Sequence, residues 1–364
     1  MSGVTEGGLS MVTRREVLRR GVGAAAALTA GPFLASCAPA AVSAPTATPT
    51  VPVPVPTASP TLAPPETTSI RLAAGACDSA IFGAERYLRD EGFTDIQFTD
   101  ALTTTAMAAG NANIGNAFPQ AVFNSVEGSG PKVVALGGLH PGCNEIWAQP
   151  GIASLKDLKG RTISVTAKSL TNLPYSWMAM ALKQAGVDPK DVNFVVQADA
   201  DVLKLYLDGK SDVIYVATTA AAALMANPAN KGHVIFSQVN DEPWKSTNCC
   251  FIIVNEPWYR ANPIAAKRAM RAIYRTADSL SADRSASAKL AADKGLFGGA
   301  AALANITVAA NMVPLDWRTY DLEKAVRFYG PLLTDIGLVK ASTDDVLKAI
   351  DLKIFKELST ELKK

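Results

Sequence analysis

The sequence lacks several features on which common classes of enzyme depend. It contains only two histidines in 364 residues, which leaves few side chains for acid–base catalysis near neutral pH. We find no glycine-rich phosphate loop, no His-Glu-x-x-His sequence and no Gly-x-Ser-x-Gly elbow. These absences count against motif-defined nucleotide-binding enzymes, zinc proteases and serine hydrolases.

The chain also lacks a surplus of charge of either sign. Its formal net charge is +2, and the four arginines and two glutamates of residues 1–36 also sum to +2. The remainder is therefore close to neutral. A near-neutral body argues against a nucleic-acid partner and against a basic patch for a lipid surface.

The first 37 residues have the pattern of a bacterial export leader. Arg14 and Arg15 precede a weakly apolar stretch, residues 22–34, and this pair favours the twin-arginine route. The stretch is too short for a transmembrane helix, which needs about 20 apolar residues. Residues 34–37, Leu-Ala-Ser-Cys, resemble a lipobox, which implies lipidation of Cys37. We predict a signal peptide at 1–36 and a lipid anchor on the outer face of the cytoplasmic membrane.

Residues 37–68 consist almost wholly of Ala, Pro, Thr, Val and Ser. Alternating prolines at 51–56 remove hydrogen-bond donors and fix φ, so this segment predicts an extended spacer without a core. Such a spacer would hold a folded part away from the membrane surface.

From Ile70 onward, short apolar strands alternate with helical segments, a pattern that predicts an α/β fold. Strands at 144–149 and 251–255 bracket a self-contained α/β block. We therefore predict one lobe at 69–150 plus 250–364, and a second lobe, inserted into the first, at 151–249.

Three helices are predicted with definite starts. One covers Ser79 to Arg89, and a long one opens at Asn262-Pro263 with Met270, Ile273, Ala277 and Leu280 as its apolar stripe. The last helix is predicted to be capped by residues 343–345 and to run through Leu358.

Four segments in order carry a resemblance to a known family. They are Ile152–Gly160, Leu182–Pro189, Leu207–Val213 and Phe251–Glu256 followed by Asn262-Pro263. In this order and spacing, the chain resembles the periplasmic binding proteins of nitrate, taurine and sulfonate importers, together with the related thiamine-pyrimidine-synthase-like proteins.

The resemblance implies a type II periplasmic-binding-protein fold with two lobes and a two-stranded hinge. It implies a monomeric receptor, not an enzyme, without cofactor or metal. The solute expected between the lobes is small and polar or anionic, such as a sulfonate, nitrate, bicarbonate or a pyrimidine. The expected partners are an ABC permease and its ATPase.

Candidate ligand contacts lie where strands lead into helices, because helix N-termini in α/β sheets offer free N–H groups to a cleft. Asp78 and Ser79 follow the first strand; the alternative interpretation is that one of them only caps the next helix. Trp177 is assigned to a helix core, whereas Trp244 is a candidate stacking wall. The full set of ligand-binding candidates is Cys77, Asp78, Ser79, Asn116, Phe118, His140, Thr166, Lys168, Ser169, Thr218 and Trp244.

Cys143, Cys249 and Cys250 abut the two strands that bracket the inserted lobe. Three interpretations remain open: disulfides that lock the hinge, buried thiols that pack as small hydrophobes, or a thiolate/imidazole metal site. The last would suit an enzyme of the pyrimidine-synthase type. Asn248, however, stands where those enzymes have another cysteine.

Overall fold

The structure is a computed structural model that describes residues 63–75, 78–169, 172–217, 221, 224–312 and 315–362. The predicted signal peptide, the lipidation site Cys37 and most of the spacer lie outside the described residues, as do Cys77 and Thr218. Within the described ranges, no helix has the length and hydropathy needed to span a bilayer.

The strands and helices follow the alternation expected from the sequence. The strands are β1 Ser69–Ala73, β2 Asp95–Thr99, β3 Ile114–Ala117, β4 Val133–Gly138, β5 Asn144–Ala148, β6 Thr162–Val165, β7 Asn193–Val196, β8 Val213–Ala217, β9 His233–Ser237 and β10 Phe251–Asn255. The helices are α1 Ser79–Phe82, α2 Glu85–Asp90, α3 Thr103–Ala108, α4 Gln120–Glu127, α5 Leu173–Gln184, α6 Asp199–Leu207, α7 Glu256–Ala261, α8 Pro263–Leu280, α9 Arg284–Asp293, α10 Leu303–Met312, α11 Leu322–Asp335, α12 Thr343–Ala349 and α13 Lys353–Glu361.

The strands form two five-stranded mixed sheets. The first has the order β2-β1-β3-β10-β4, in which β1 runs parallel to β2 and β3 while β10 runs antiparallel to β3 and β4. The second has the order β7-β6-β8-β5-β9, in which β5 is antiparallel to both β8 and β9. The expected α/β class is confirmed.

The chain crosses between the sheets twice. Residues 139–143 lead from β4 in the first sheet to β5 in the second, and residues 238–250 lead from β9 back to β10. The second sheet is therefore built entirely from an insertion. The predicted boundary at residue 150 assigns β5 to the first lobe, but β5 pairs with strands of the second sheet. We call residues 139–143 and 238–250 the first and second crossings.

The folded part already includes the end of the predicted spacer. Both Glu66 carboxylate oxygens accept hydrogen bonds at the start of α8, from Ile264 N at 3.0 Å and Ala265 N at 2.9 Å. These bonds satisfy N–H groups that a helix N-terminus leaves open. The predicted apolar stripe of α8, from Met270 to Leu280, is buried as expected.

Two helix predictions were wrong because tertiary contacts interrupt the periodic pattern. The helix expected from Ser79 to Arg89 breaks at Gly83, where an added Cβ would lie 2.8 Å from Ser79 O and 3.2 Å from Leu280 Cδ1. The last helix is split into α12 and α13, because Ile350 is extended and pairs with Ala135 of β4. Its N-cap is Ser342, whose Oγ accepts from Asp345 N.

Candidate functional site

A buried ion pair lies where the first crossing begins. His140 Nε2 donates to Asp78 Oδ1 at 2.8 Å, and both side chains are fully buried. The other ring nitrogen, Nδ1, lies 2.5 Å from Pro141 O, so both nitrogens face acceptors. Burial lowers the pKa of His140, but the charge and hydrogen bond of Asp78 outweigh it and raise the pKa to about 9. The raised pKa favours the protonated form of His140 beside Asp78.

Asp78 immediately precedes α1, but its side chain makes no capping hydrogen bond to that helix. Since the carboxylate is turned toward His140 instead, the alternative that Asp78 only caps is wrong. Asn116, another candidate, uses its Oδ1 to accept from Gly75 N at 2.9 Å. That bond holds the loop after β1 against the end of β3.

Three thiols from both crossings meet beside this pair. Cys143 Sγ lies 3.7 Å from Cys249 Sγ, which lies 3.6 Å from Cys250 Sγ. These distances are contacts, not disulfide bonds, which are about 2 Å long. Burial raises the pKa of the Cys249 thiol well above its usual range, so Cys249 is a neutral thiol at neutral pH. Ligand atoms of Asp78, His140 and Cys250 also lie within 4.8 Å of one another.

Some buried polar atoms have no hydrogen-bond partner among the described residues. They include Ser79 Oγ, which follows Asp78 in the chain, Trp177 Nε1, and both amide atoms of Asn248, which precedes Cys249. Asn248 is fully buried, and an added Cβ on Gly138 would lie only 2.2 Å from its Nδ2. A buried polar atom without a partner is costly.

An aromatic cluster joins the two lobes next to these polar atoms. Trp177 of α5 contacts Phe118, which follows β3, at a ring-centre distance of 5.3 Å. Trp244 of the second crossing contacts Phe236 of β9 at 5.3 Å and Phe328 of α11 at 4.9 Å. The edge-to-face geometry is the favourable one for such rings. Trp177 is buried in the core, as expected.

Trp244 was predicted to stand as a stacking wall at the cleft. It is fully buried, with Trp177, Phe236, Phe328 and Tyr329 around it. The packed rings hold Trp244, and the Thr247 hydroxyl donates to Trp244 O at 2.9 Å. Together these contacts fix the part of the second crossing that leads directly into Asn248.

The candidate contacts Thr166, Lys168 and Ser169 lie away from the buried group around His140. Thr166 lines a cavity of about 340 Å³ together with Ser164, Asp199 and Tyr215, while Lys168 and Ser169 are exposed. The Thr166 hydroxyl accepts from Asn172 Nδ2 at 2.8 Å. No residue that lines this cavity belongs to the buried group around His140.

Sequence reasoning missed Asn248 and Tyr329 as members of the buried region. Asn248 was noted only as a departure from a cysteine pattern, although its position before a run of apolar residues, Cys249 to Val254, indicates burial. Tyr329 belongs to α11 and lies more than 80 residues after Asn248 in the chain. Nothing in the local sequence pattern places it beside Trp177.

Comparison with known proteins gives the family and the fold. The NMT1/THI5-like family model matches residues 87–286, more than half of the chain. No curated protein matches the sequence. The alkanesulfonate-binding protein SsuA from Xanthomonas axonopodis pv. citri, bound to MOPS, is 17% identical, with 79% of this chain and 99% of that chain covered and a TM-score of 0.58.

Two further structures share the fold. The periplasmic nitrate-binding protein NrtA from Synechocystis PCC 6803 is 13% identical, covering 82% of this chain and 90% of that chain, with a TM-score of 0.61. The desulfurization enzyme DszB is 13% identical, covering 81% and 100%, with a TM-score of 0.56. The expected periplasmic-binding-protein fold is confirmed, and the chain belongs to the NMT1/THI5-like family.

Proposed function

We propose that the chain is the solute receptor of an ABC importer. In this proposal it encloses a small solute between its two lobes and releases it chemically unchanged to a permease that works with an ATPase. The observation that carries the proposal is the set of unpartnered polar atoms buried beside an aromatic cluster to which both lobes contribute. Closure of two lobes over a solute is an established form of domain movement in such folds.

The sequence supports an anchored, extracytoplasmic location. The paired arginines Arg14 and Arg15, the lipobox ending at Cys37 and the proline-rich spacer together favour an exported lipoprotein. The lipid anchor would be the only membrane contact, and the receptor would act as a monomer on the outer face of the cytoplasmic membrane.

The second candidate function is an enzyme of the pyrimidine-synthase type that holds a metal with Cys and His ligands. The observation in its favour is the closeness of Asp78, His140 and Cys250, within 4.8 Å. The arrangement fits a metal poorly, because both ring nitrogens of His140 already face oxygen acceptors, so neither directs a lone pair at an ion. We therefore favour the receptor.

The test combines a thermal-shift screen with analysis of metal and thiols. A solute that binds only the folded receptor raises its melting temperature, so a screen of sulfonates, nitrate, bicarbonate, pyrimidines and carboxamides is expected to produce a shift. Purified protein is expected to contain less than stoichiometric iron or zinc. Stoichiometric metal together with thiols that react rapidly would support the enzyme instead.

A further inference from the structure

Asn248 stands out among the buried polar residues because its whole amide is unpartnered. Both Oδ1 and Nδ2 lack a hydrogen bond, and the residue is fully buried. Exchanging the two atoms by rotating the amide would leave one donor and one acceptor open all the same. The residue therefore presents a complementary pair of bonding positions in a fixed direction.

The position of Asn248 is set by its neighbours. Cys249 N donates to His140 O at 3.3 Å, which ties the second crossing to the first. Gly138 has no side chain where the amide lies, and a Cβ there would meet it at 2.2 Å. Ser79, whose Oγ is also unpartnered, follows directly after the Asp78 that binds His140. The open atoms of Ser79 and Asn248 are thus each one residue away from a partner of His140.

The charge of this region argues against an anionic solute. His140 is the single basic side chain among the buried residues that the structure describes, and Asp78 already neutralises it. Lys168, the one lysine among the candidate ligand contacts, is exposed. An anion buried beside Asn248 would lose its water without gaining an uncompensated positive charge, which is unfavourable.

We propose that Asn248 is the residue that determines solute specificity, and that the solute is uncharged and carries a hydrogen-bond donor and acceptor side by side, as a carboxamide, a lactam or a urea does. This inference rests on the proposed function. The amide of Asn248 pairs with that edge through two hydrogen bonds. Aromatic rings of Phe118 and Trp177 supply an apolar wall, and Trp177 Nε1 supplies a further donor.

The first part of the test needs no solute. Asn248→Leu replaces the amide by an apolar side chain of similar size, so its melting temperature is expected to equal or exceed that of the unchanged protein. Asn144→Leu is the matched control, because Asn144 is equally buried but donates to Gln238 Oε1 at 2.8 Å, and its loss is expected to lower the melting temperature. If Asn248→Leu lowers it as much as Asn144→Leu, the amide is not open and the inference fails.

The second part compares uncharged probes with anionic ones. Benzamide is paired with benzoate and nicotinamide with nicotinate; uracil is a further uncharged probe, and methanesulfonate and nitrate are further anions. The amides and uracil are expected to raise the melting temperature and the anions are not. Asn248→Leu is expected to weaken binding of the best probe at least about tenfold, the loss typical of a buried hydrogen-bonded pair.

The outcomes separate the two proposals. If methanesulfonate or nitrate binds, and Asn248→Leu leaves that binding unchanged, the proposed role of Asn248 is overturned while the proposed receptor function stands. A lack of any shift in both series overturns both.

Discussion

Two polar regions of the molecule differ chiefly in their access to water. The group around His140, Asp78 and Asn248 is buried, whereas the loop with Lys168 and Ser169 is exposed. Water can reach the polar atoms of the exposed loop. The buried atoms are out of reach of bulk water, so their hydrogen bonds must come from protein partners or from a solute. Burial therefore separates a candidate binding site from an ordinary polar loop more sharply than residue type does.

The largest expected effect breaks the buried ion pair. Asp78→Ala leaves His140 without its carboxylate partner, and the free energy of unfolding is expected to fall by about 3–5 kcal/mol, the loss typical of a broken buried pair. Urea denaturation measures it. The matched control is Asp208→Ala, which removes the exposed partner of Lys204 and is expected to change stability little. Equal losses in both variants would mean that burial does not distinguish the two pairs.

The next effect is on the three thiols. A disulfide between Cys143 and Cys249 would join the two crossings, and a bridge over such a long loop typically adds about 2–4 kcal/mol to stability. The thiols of the folded protein are buried and Cys249 is protonated, so oxidised glutathione is expected to form the bond by thiol–disulfide exchange only when it is added during refolding. Peptide mass spectrometry would detect the linked fragments. Cys143→Ser is expected to abolish the stabilisation. Refolded protein in which Cys143 and Cys249 both stay reduced would count against this pairing.

The ion pair also predicts a dependence on pH. The pKa of His140 is raised from 6.5 to about 9 by folding, so its stabilising contribution is complete below pH 6.5 and is lost as the pH rises toward 9. Urea denaturation at pH 6.0, 7.2 and 8.2 is expected to show a falling free energy of unfolding. Cys249 has a raised pKa too, but an unfolded thiol titrates near pH 8.5, so the lower part of this window reports His140. In His140→Gln, the free energy of unfolding is expected to change little with pH between 6.0 and 7.2. If its slope against pH were unchanged, the pH dependence would belong to other groups.

Much of the fold could be predicted from the sequence, because it follows from local patterns. Alternating apolar strands gave β1 to β4, and the inserted lobe followed from the strands that bracket it. The break at Gly83 and the extended Ile350 could not be predicted, since both depend on segments distant along the chain. The site was predicted only in part. Asp78, His140 and the cysteines were identified, but burial without partners, which marks Asn248, is a property of packing.

The smallest effect is expected at the exposed loop. Lys168→Ala is predicted to change solute affinity less than about twofold, because an exposed lysine contributes little binding free energy to an uncharged solute. Isothermal titration with the best probe of the thermal screen measures it, beside Asn248→Leu as the large-effect reference. A tenfold loss of affinity in Lys168→Ala would instead place the exposed loop in contact with the solute.

The receptor account is tested most directly by recovering the solute. Protein is saturated with the solute that gives the largest thermal shift, freed of excess by gel filtration, held for several hours and then denatured, and the released compound is quantified by mass spectrometry. We predict one equivalent of solute per chain, of unchanged mass. A released compound of altered mass in place of the solute would contradict the account.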